Sequence, residues 1–229
     1  MSIFAALDAV VGVARSALDS LATVLTPLAG PLAGALAIVL FTLALRALIS
    51  PLTYLQVRGE RRRAALAPRV EALRRAHRGD PMALAAATLD LHRAHGISPF
   101  AGLWPGLAQA PFFMVMIRLV HPAAAAATGL LAGAFFGVPL TAHLGAGLPV
   151  FAGLLALAGA LAWWSSRRMR RMAPAEPTGV ARVIPWLPYV SLLVVAYLPL
   201  AGALYVVTST AWTAAEHAIW RRPARTVAA

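Results

Sequence analysis

The sequence PLAGALAIVLFTLALRALISPLTY, residues 31–54, is almost wholly apolar and contains a single charged residue, Arg46. At about 1.5 Å per residue, a helix of this length crosses a hydrocarbon core of about 30 Å. The whole chain is 60% hydrophobic and only 12% charged, with a mean hydropathy of +0.75. An ordinary soluble domain is far more polar. The stretch therefore predicts a membrane-spanning helix in a chain that requires lipid.

The basic residues lie in clusters between the apolar runs. All 20 are arginines, of which nine fall in residues 56–95, five in 167–183 and three in 220–229. The intervening polar segments contain only Arg15. Because arginine-rich loops stay in the cytoplasm, the pattern predicts five spans in a bacterial cytoplasmic membrane, with the N-terminus outside and the C-terminus inside. The net charge of +12 favours anionic lipid over a specific nucleic-acid sequence as its partner.

The expected fold is an all-α integral membrane protein with five transmembrane helices, a cytoplasmic helical hairpin and an N-terminal amphipathic helix in the interface. The predicted spans are residues 29–55, 98–121, 148–166, 184–199 and 200–220. The other segments are the interfacial helix 1–28, the hairpin 56–97, the extracytoplasmic loop 122–147, the basic cytoplasmic loop 167–183 and the cytoplasmic tail 221–229. Pro199 and Gly202 supply the break between the last two spans.

The N-terminal helix is predicted from its two faces. Its polar face carries Asp8, Gly12, Arg15 and Asp19. Its apolar face carries Phe4, Leu7, Val11, Leu18, Leu21 and Leu25. This division is typical of a helix that lies in the membrane interface. A spanning helix is the alternative, but three charges within a dozen residues are costly in hydrocarbon.

The hairpin is predicted from its turn and from its apolar positions. Gly79 suits the C′ position of one helix, Asp80 the N-cap of the next, and Pro81 its first position. The apolar stripes that we expect to face each other consist of Leu66, Val70 and Leu73 on one arm and Leu84, Thr88 and Leu91 on the other. The arms then form a short antiparallel pair with arginines outside.

Arg46 lies well inside the first predicted span. Thr42, Ser50 and Thr53 fall four residues before it and four and seven after it, so the four side chains form one polar stripe. A charge inside the membrane normally faces the protein interior or an aqueous cavity. The stripe therefore predicts a water-filled recess. An arginine that snorkels to the inner headgroups is the alternative.

Polar residues of two other predicted spans are candidates for the same recess. They are Gln109 in residues 98–121, and Tyr205, Thr208, Ser209 and Trp212 in residues 200–220. Interhelical hydrogen bonds, or an interface anchor for Trp212, are the alternative explanation for each of them.

The sequence predicts neither an enzyme nor a cofactor or metal site. It contains no cysteine, no phosphate-binding glycine loop, and no nucleophile-elbow or zinc-protease motif. His92 and His95 are three residues apart, but only Asp90 lies close enough in sequence to join them.

Four segments resemble the YidC-type membrane protein insertase family, the YidC/Oxa/Alb family. LALRALISPLTYLQ, residues 43–56, resembles its first core span, in which an arginine precedes a Pro-Leu-Thr element. LAPRVEALRRAHRGDP, residues 66–81, resembles its cytoplasmic hairpin, with Pro68 inside a helix. LHRAHGISPFAGLWPGLAQAPFF, residues 91–113, resembles the entry into its second core span, and YLPLAGALYVVTSTAW, residues 197–212, its last span.

The sequence also departs from the family pattern. Ser98 stands where the family usually has asparagine, and Val206 and Ser209 stand where tryptophan and asparagine are typical. The large periplasmic domain of some bacterial members has no counterpart here. We therefore expect a divergent bacterial member without that domain.

The resemblance implies an insertase and chaperone that is not an enzyme. Its spans would enclose a hydrophilic groove, open to the cytoplasm and to lipid, in which Arg46 attracts acidic residues of a client. The implied partners are nascent membrane-protein clients and the lipid bilayer, with a Sec-type translocon and the ribosome as further candidates. A small anion transporter or channel that uses Arg46 is the alternative function, and a purely structural assembly factor is a third.

The topology generates the first testable prediction. Reporter fusions near Gly79 and at the C-terminus should report the cytoplasm, and fusions within residues 122–146 should report the exterior, because the arginines are distributed in this way. A cytoplasmic signal from residues 122–146 would contradict the predicted topology.

Overall fold

Helices form most of the described chain. The computed structural model describes residues 3–96, 133–172 and 182–220. Its α-helices are α1 Ile3–Ala29, α2 Ala33–Ala65, α3 Ala67–Ala76, α4 Pro81–Ala94, α5 Leu148–Met172, α6 Val190–Tyr197 and α7 Leu200–Trp220. Short 3-10 segments occupy Gly30–Leu32, Leu144–Ala146 and Ile184–Tyr189, and two strands are β1 Ala134–Phe135 and β2 Val138–Pro139. The predicted span 98–121 and tail 221–229 lie outside the described residues.

The chain divides into two compact units. The first comprises residues 1–47 and 113–219, and the second comprises residues 48–112 and 220–229. The first unit contains α1, the part of α2 up to Ala47, the strands, α5 and α6, together with nearly all of α7. The second contains α3 and α4.

The helix α1 packs one face into the core of the first unit. Val11, Ala14 and Leu18 are buried there, and Leu21 and Leu25 pack against the same core. This is the face that the apolar periodicity predicted. The position of α1 in the membrane interface remains a prediction.

The helix α2 continues ten residues beyond the predicted end of the first span. It runs through Arg58 to Ala65, so the helix extends past residue 55, where the span is predicted to end. The sequence changes there from apolar to basic, but arginine and glutamine are good helix formers. The change in composition therefore indicates where the apolar surface ends and does not terminate the helix.

In the second unit, α3 and α4 pack against each other through the predicted apolar positions. Leu66 is buried, and the other five positions are half-buried: Val70, Leu73, Leu84, Thr88 and Leu91. The helix is interrupted at Leu66, between the end of α2 and the beginning of α3. Pro68 is therefore the second residue of α3 and does not lie inside a longer helix. Proline is tolerated in this first turn because its missing N–H would have no helical acceptor there.

The turn between α3 and α4 largely follows the prediction. Asp80 caps α4, since its carboxylate accepts from the N–H groups of Met82 at 3.1 Å and Ala83 at 2.9 Å, and Pro81 is the first helical residue. Gly79 has a φ of +96°, which favours glycine. The cap of α3 is His77, so Gly79 lies one residue later than the predicted C′ position.

A small β-hairpin replaces part of the predicted loop 122–147. Strands β1 and β2 pair antiparallel, and the connecting residues Phe136 and Gly137 both have positive φ, at +50° and +80°. Two positive φ values are characteristic of the two-residue turn whose twist fits a hairpin. The fold is therefore predominantly helical, as predicted, with one short two-stranded element that the sequence did not predict. Strands of two residues are too short to produce a detectable alternation in sequence.

The hairpin segment meets the beginning of α7. The N–H of Leu200 donates to the carbonyl of Ala142 at 2.8 Å, and the N–H of Ala201 donates to the carbonyl of Leu140 at 3.0 Å. The first N–H groups of a helix have no partners within the helix. These two bonds satisfy them, and Leu140 itself is fully buried.

The helix α5 contains the whole of the RRMRR motif. Its buried stripe consists of Phe151, Leu154, Ala158 and Ala162. The helix then continues from the predicted end at Ser166 to Met172, so most of the arginines assigned to the loop 167–183 are helical. As in α2, the basic residues mark the end of the apolar surface and not the end of the helix.

The predicted break at Pro199 is confirmed. Helix α6 ends at Tyr197, Leu198 is extended with a ψ of 153°, and α7 begins at Leu200. A residue before proline is excluded from the helical region by the proline ring. The predicted span 184–199 is not one α-helix, because its first six residues, with Pro185 and Pro188, form a 3-10 segment.

Two helical stretches of the described chain are long and apolar enough to cross a membrane, judged by length and composition. They are Asp8–Gly59, which includes most of α1 and most of α2, and Leu148–Arg171, which corresponds to α5. Ile184–Tyr197 is apolar but shorter. The count of five spans and their orientation remain predictions.

Candidate functional site

Arg46 of α2 is hydrogen-bonded to Ser209 of α7 inside the first unit. Its Nε donates to the Ser209 hydroxyl at 2.9 Å, and a terminal nitrogen of the same guanidinium donates to the same oxygen. Ser209 is buried, with only 4% of its surface exposed. Two donors of one arginine thus bind one neutral acceptor on a helix 163 residues away in sequence.

The face of α7 that carries Ser209 also carries Tyr205 and Glu216. Tyr205 is four residues before Ser209 and Glu216 is seven after it, and these spacings bring side chains to one face of a helix. Both residues are buried and both interact electrostatically with Arg46. The guanidinium therefore lies close to a phenol, a hydroxyl and a carboxylate.

Glu216 is the residue that sequence reasoning missed. It is the only acidic residue in residues 200–220, and a buried carboxylate is rare unless a cation lies near it. Its spacing from Tyr205 and Ser209 was visible in the sequence. Its place shortly before Arg221 and Arg222 is also typical of the polar end of a span, so the sequence alone does not single it out.

A second arginine, Arg168, binds the C-terminal part of α7. Arg168 of α5 donates from a terminal nitrogen to the backbone carbonyl of His217 at 2.6 Å. Arginine side chains near a helix C-terminus bind carbonyls that have no partner within the helix. The contact fixes α5 to the same end of α7 that carries Glu216.

The other residues predicted to line the recess have different environments in the structure. Thr42 is buried, and its hydroxyl donates to the carbonyl of Ile38 at 2.6 Å, within α2. Ser50, Thr53 and Thr208 are half-buried. Gln109 lies outside the described residues. Arg46, Tyr205 and Ser209 are thus brought together, and the lining of a recess by the others stays a prediction.

Trp212 has an indole N–H that is buried and makes no hydrogen bond within the described ranges. Within those ranges there is also no group of three or more metal-ligating side chains. The chemistry available at Arg46 is therefore electrostatic attraction and hydrogen bonding by a cation held in an apolar helix bundle.

Long apolar helices that carry a partly buried charged residue are typical of an α-helical integral membrane protein. A sequence model of the 60Kd inner membrane protein family matches residues 25–226. That range includes the whole of α2 and α7, and the chain belongs to this family, the YidC-type family that its motifs resemble.

Several curated relatives are similar to part of the chain. Membrane protein insertase YidC of Wolinella succinogenes is 33% identical over 87 residues, which cover 38% of this chain and 16% of the relative. The protein of the same name from Campylobacter jejuni is 33% identical over 84 residues, 37% of this chain and 16% of the relative. The protein of that name from Paraburkholderia phytofirmans is 35% identical over 77 residues, which cover 34% of this chain and 14% of the relative. The matched region thus spans about a sixth of these relatives or less.

The contact between Arg46 and Ser209 generates the second prediction. In a double-mutant cycle with Arg46→Gln and Ser209→Ala, measured by thermal unfolding in detergent, we expect a coupling energy of about 1–2 kcal/mol, because the two residues share hydrogen bonds. Thr208→Val is the matched control, since it removes a neighbouring hydroxyl that does not contact Arg46. Its coupling with Arg46→Gln should be near zero. Equal couplings for the two positions would contradict the assigned contact.

Proposed function

We propose that this chain is a membrane protein insertase and chaperone, which inserts client proteins into the bacterial cytoplasmic membrane through a hydrophilic groove that contains Arg46. The observation that carries the proposal is the guanidinium inside an apolar helix, bound to the Ser209 hydroxyl. Family membership and the names of the relatives support the same activity. The proposed action involves no enzymatic step and no cofactor.

Ser209 holds Arg46 without neutralising it. An arginine has five N–H donors, and two of them go to the uncharged hydroxyl. Among the described residues, no side chain or carbonyl accepts a hydrogen bond from the other three. A carboxylate of a client can accept two parallel bonds from such a group. The arginine is therefore oriented by the protein and still able to bind an acid.

Low local polarity strengthens this attraction. Two opposite charges 4 Å apart attract by about 1 kcal/mol in water and by about 4 kcal/mol at the effective dielectric constant of a protein site. Glu216 opposes part of this attraction, because its carboxylate already lies in the field of Arg46. A client acid is then bound strongly enough to be drawn into the membrane and weakly enough to leave again.

The client itself supplies much of the driving force. Transfer of an apolar client segment from water to lipid is favourable in proportion to its apolar area. The barrier lies in the short polar tail that must cross with it. A hydrated groove that reaches Arg46 shortens the hydrocarbon distance over which this tail is exposed, so no nucleotide hydrolysis is required for the proposed action.

The remaining assignments follow from the same proposal. The α3–α4 pair and the RRMRR end of α5 lie on the cytoplasmic side, and the hairpin of β1 and β2 lies outside. Nascent membrane proteins are the clients, and a Sec-type translocon and the ribosome are candidate partners on the cytoplasmic side.

The proposal generates the third prediction. Arg46→Ala should lower insertion of a client with an acidic translocated tail by roughly tenfold or more, which corresponds to about 1.4 kcal/mol. Insertion of a matched client with a neutral tail should change by less than about twofold. Arg46→Lys should retain much of the activity, because an ammonium group also attracts a carboxylate. The measurement is protease protection of both tails in vesicles that contain each purified variant.

Two controls separate charge from folding. The abundance and melting temperature of each variant are measured beside insertion, since a purely structural role lowers both and affects the two clients equally. Equal insertion of both clients by a well-folded Arg46→Ala protein would refute the charge mechanism. Anion flux through protein-containing vesicles that is lost in Arg46→Ala, with insertion unchanged, would instead support the alternative of a small anion transporter.

A further inference from the structure

A cleft of about 390 Å³ lies between the end of α5 and the 3-10 segment Ile184–Tyr189. Arginines and aromatic side chains line most of it, together with Ser166; the arginines are Arg167, Arg170 and Arg171. Its volume is within the range of small-ligand sites. The groove mechanism makes no use of this cleft, which we name the basic cleft.

Aromatic rings hold two of the three arginines. The guanidinium of Arg170 lies 4.6 Å from the ring centre of Trp186, and that of Arg167 lies 5.1 Å from the ring centre of Trp163. A guanidinium stacked on a ring keeps its N–H donors at its edge, where they can still bind an anion in a bidentate manner. Within residues 3–96, 133–172 and 182–220, none of the three arginines forms an ion pair. The cleft therefore concentrates positive charge.

Ser166 provides the second observation. It is 1% exposed, and its hydroxyl makes no hydrogen bond with any described residue. A buried hydroxyl without a partner is costly, so such groups are uncommon unless a ligand or water completes their hydrogen bonds. Ser166 lies in the wall of the basic cleft, one residue before Arg167. A hydroxyl and three guanidinium groups together suit a ligand with several acceptor oxygens and negative charge.

We propose that the basic cleft binds the phosphate group of an anionic phospholipid. The exposed side chains at the rim of the basic cleft favour a lipid over a soluble anion. Trp186 is 57% exposed, and the large apolar side chains beside it, Ile184, Leu187 and Val190, are 43%, 57% and 50% exposed. This apolar surface can pack against acyl chains, whereas inorganic phosphate has no apolar part that could contact it. It is equally unsuited to RNA, which places sugar and further phosphates beside each phosphate.

The position of the basic cleft agrees with a headgroup ligand. The apolar part of α5 leads directly to Trp163, Trp164 and the arginines. Tryptophan and tyrosine are enriched where a membrane-spanning helix reaches the headgroups. A phospholipid whose acyl chains lie along α5 would place its phosphate at the level of Ser166 and Arg170. The site would differ from diffuse attraction of arginine to a charged surface in that a neutral hydroxyl contributes to it.

The test uses the purified full-length chain in detergent. Native mass spectrometry measures how much of the protein retains one molecule of dioleoyl phosphatidylglycerol, with dioleoyl phosphatidylcholine as the neutral comparison. The variants are Ser166→Ala and Arg170→Gln, and Arg75→Gln on the exposed surface of α3 is the matched charge control. We expect wild type to retain phosphatidylglycerol severalfold better than phosphatidylcholine. Retention should fall by about tenfold in Arg170→Gln and by about threefold in Ser166→Ala, and should not change in Arg75→Gln.

The melting temperature of Ser166→Ala separates binding from folding. Removal of a hydroxyl that has no hydrogen-bond partner among the described residues should leave the lipid-free melting temperature unchanged or raise it, so a loss of lipid in this variant is a loss of the site. Equal retention of phosphatidylglycerol by all four proteins would overturn the proposal. Displacement of the lipid by inorganic phosphate at low millimolar concentration would overturn the lipid assignment, and so would RNA binding that requires Arg170 while lipid retention does not.

Discussion

The cost of a charged guanidinium in an apolar helix is the constraint on which the first unit depends. An arginine in such a helix is stable only if the protein or water binds its donors. Here two donors go to Ser209, and the negative field of Glu216 lowers the cost of the charge further. Both partners lie on α7. The position of that helix, and not only the identity of residue 46, therefore decides how the charged guanidinium is held and whether its remaining donors stay available.

Several contacts fix α7 along its length. The hairpin segment binds the first N–H groups of the helix through the carbonyls of Leu140 and Ala142, and Arg168 binds the carbonyl of His217 near its other end. Pro199 separates α7 from α6 and allows the chain to turn there. Ser209 lies between these attachments. The segments that fix α7, and with it Ser209, thus come from regions distant in sequence. They do so through hydrogen bonds, which are stronger in an apolar environment than in water.

The sequence predicted those features that depend on local chemistry. The Asp80 cap, the Pro81 start of α4 and the break at Pro199 each follow from one residue type in one backbone position. The long apolar helices and the depth of Arg46 follow from composition. Other features depend on tertiary contacts or on weak signals. The two-residue strands have no measurable period, and the contact of Arg46 with Ser209 requires knowledge of which face of α7 points inward. The helical conformation of RRMRR is also not evident from the change in charge, because arginine is a good helix former.

The central claim is that the face of α2 that carries Arg46 borders water and receives the client. Because the chain contains no cysteine, single cysteines can report this directly. Ser50→Cys lies one turn after Arg46 on the same face, and Leu48→Cys lies on an exposed apolar face of the same helix, where the leucine is 78% exposed. In inside-out vesicles, a membrane-impermeant maleimide should label Ser50→Cys and spare Leu48→Cys, since thiolate forms in water and not in lipid, and a bound acidic-tail client should protect Ser50→Cys. Labelling of Leu48→Cys with none at Ser50→Cys would contradict the account.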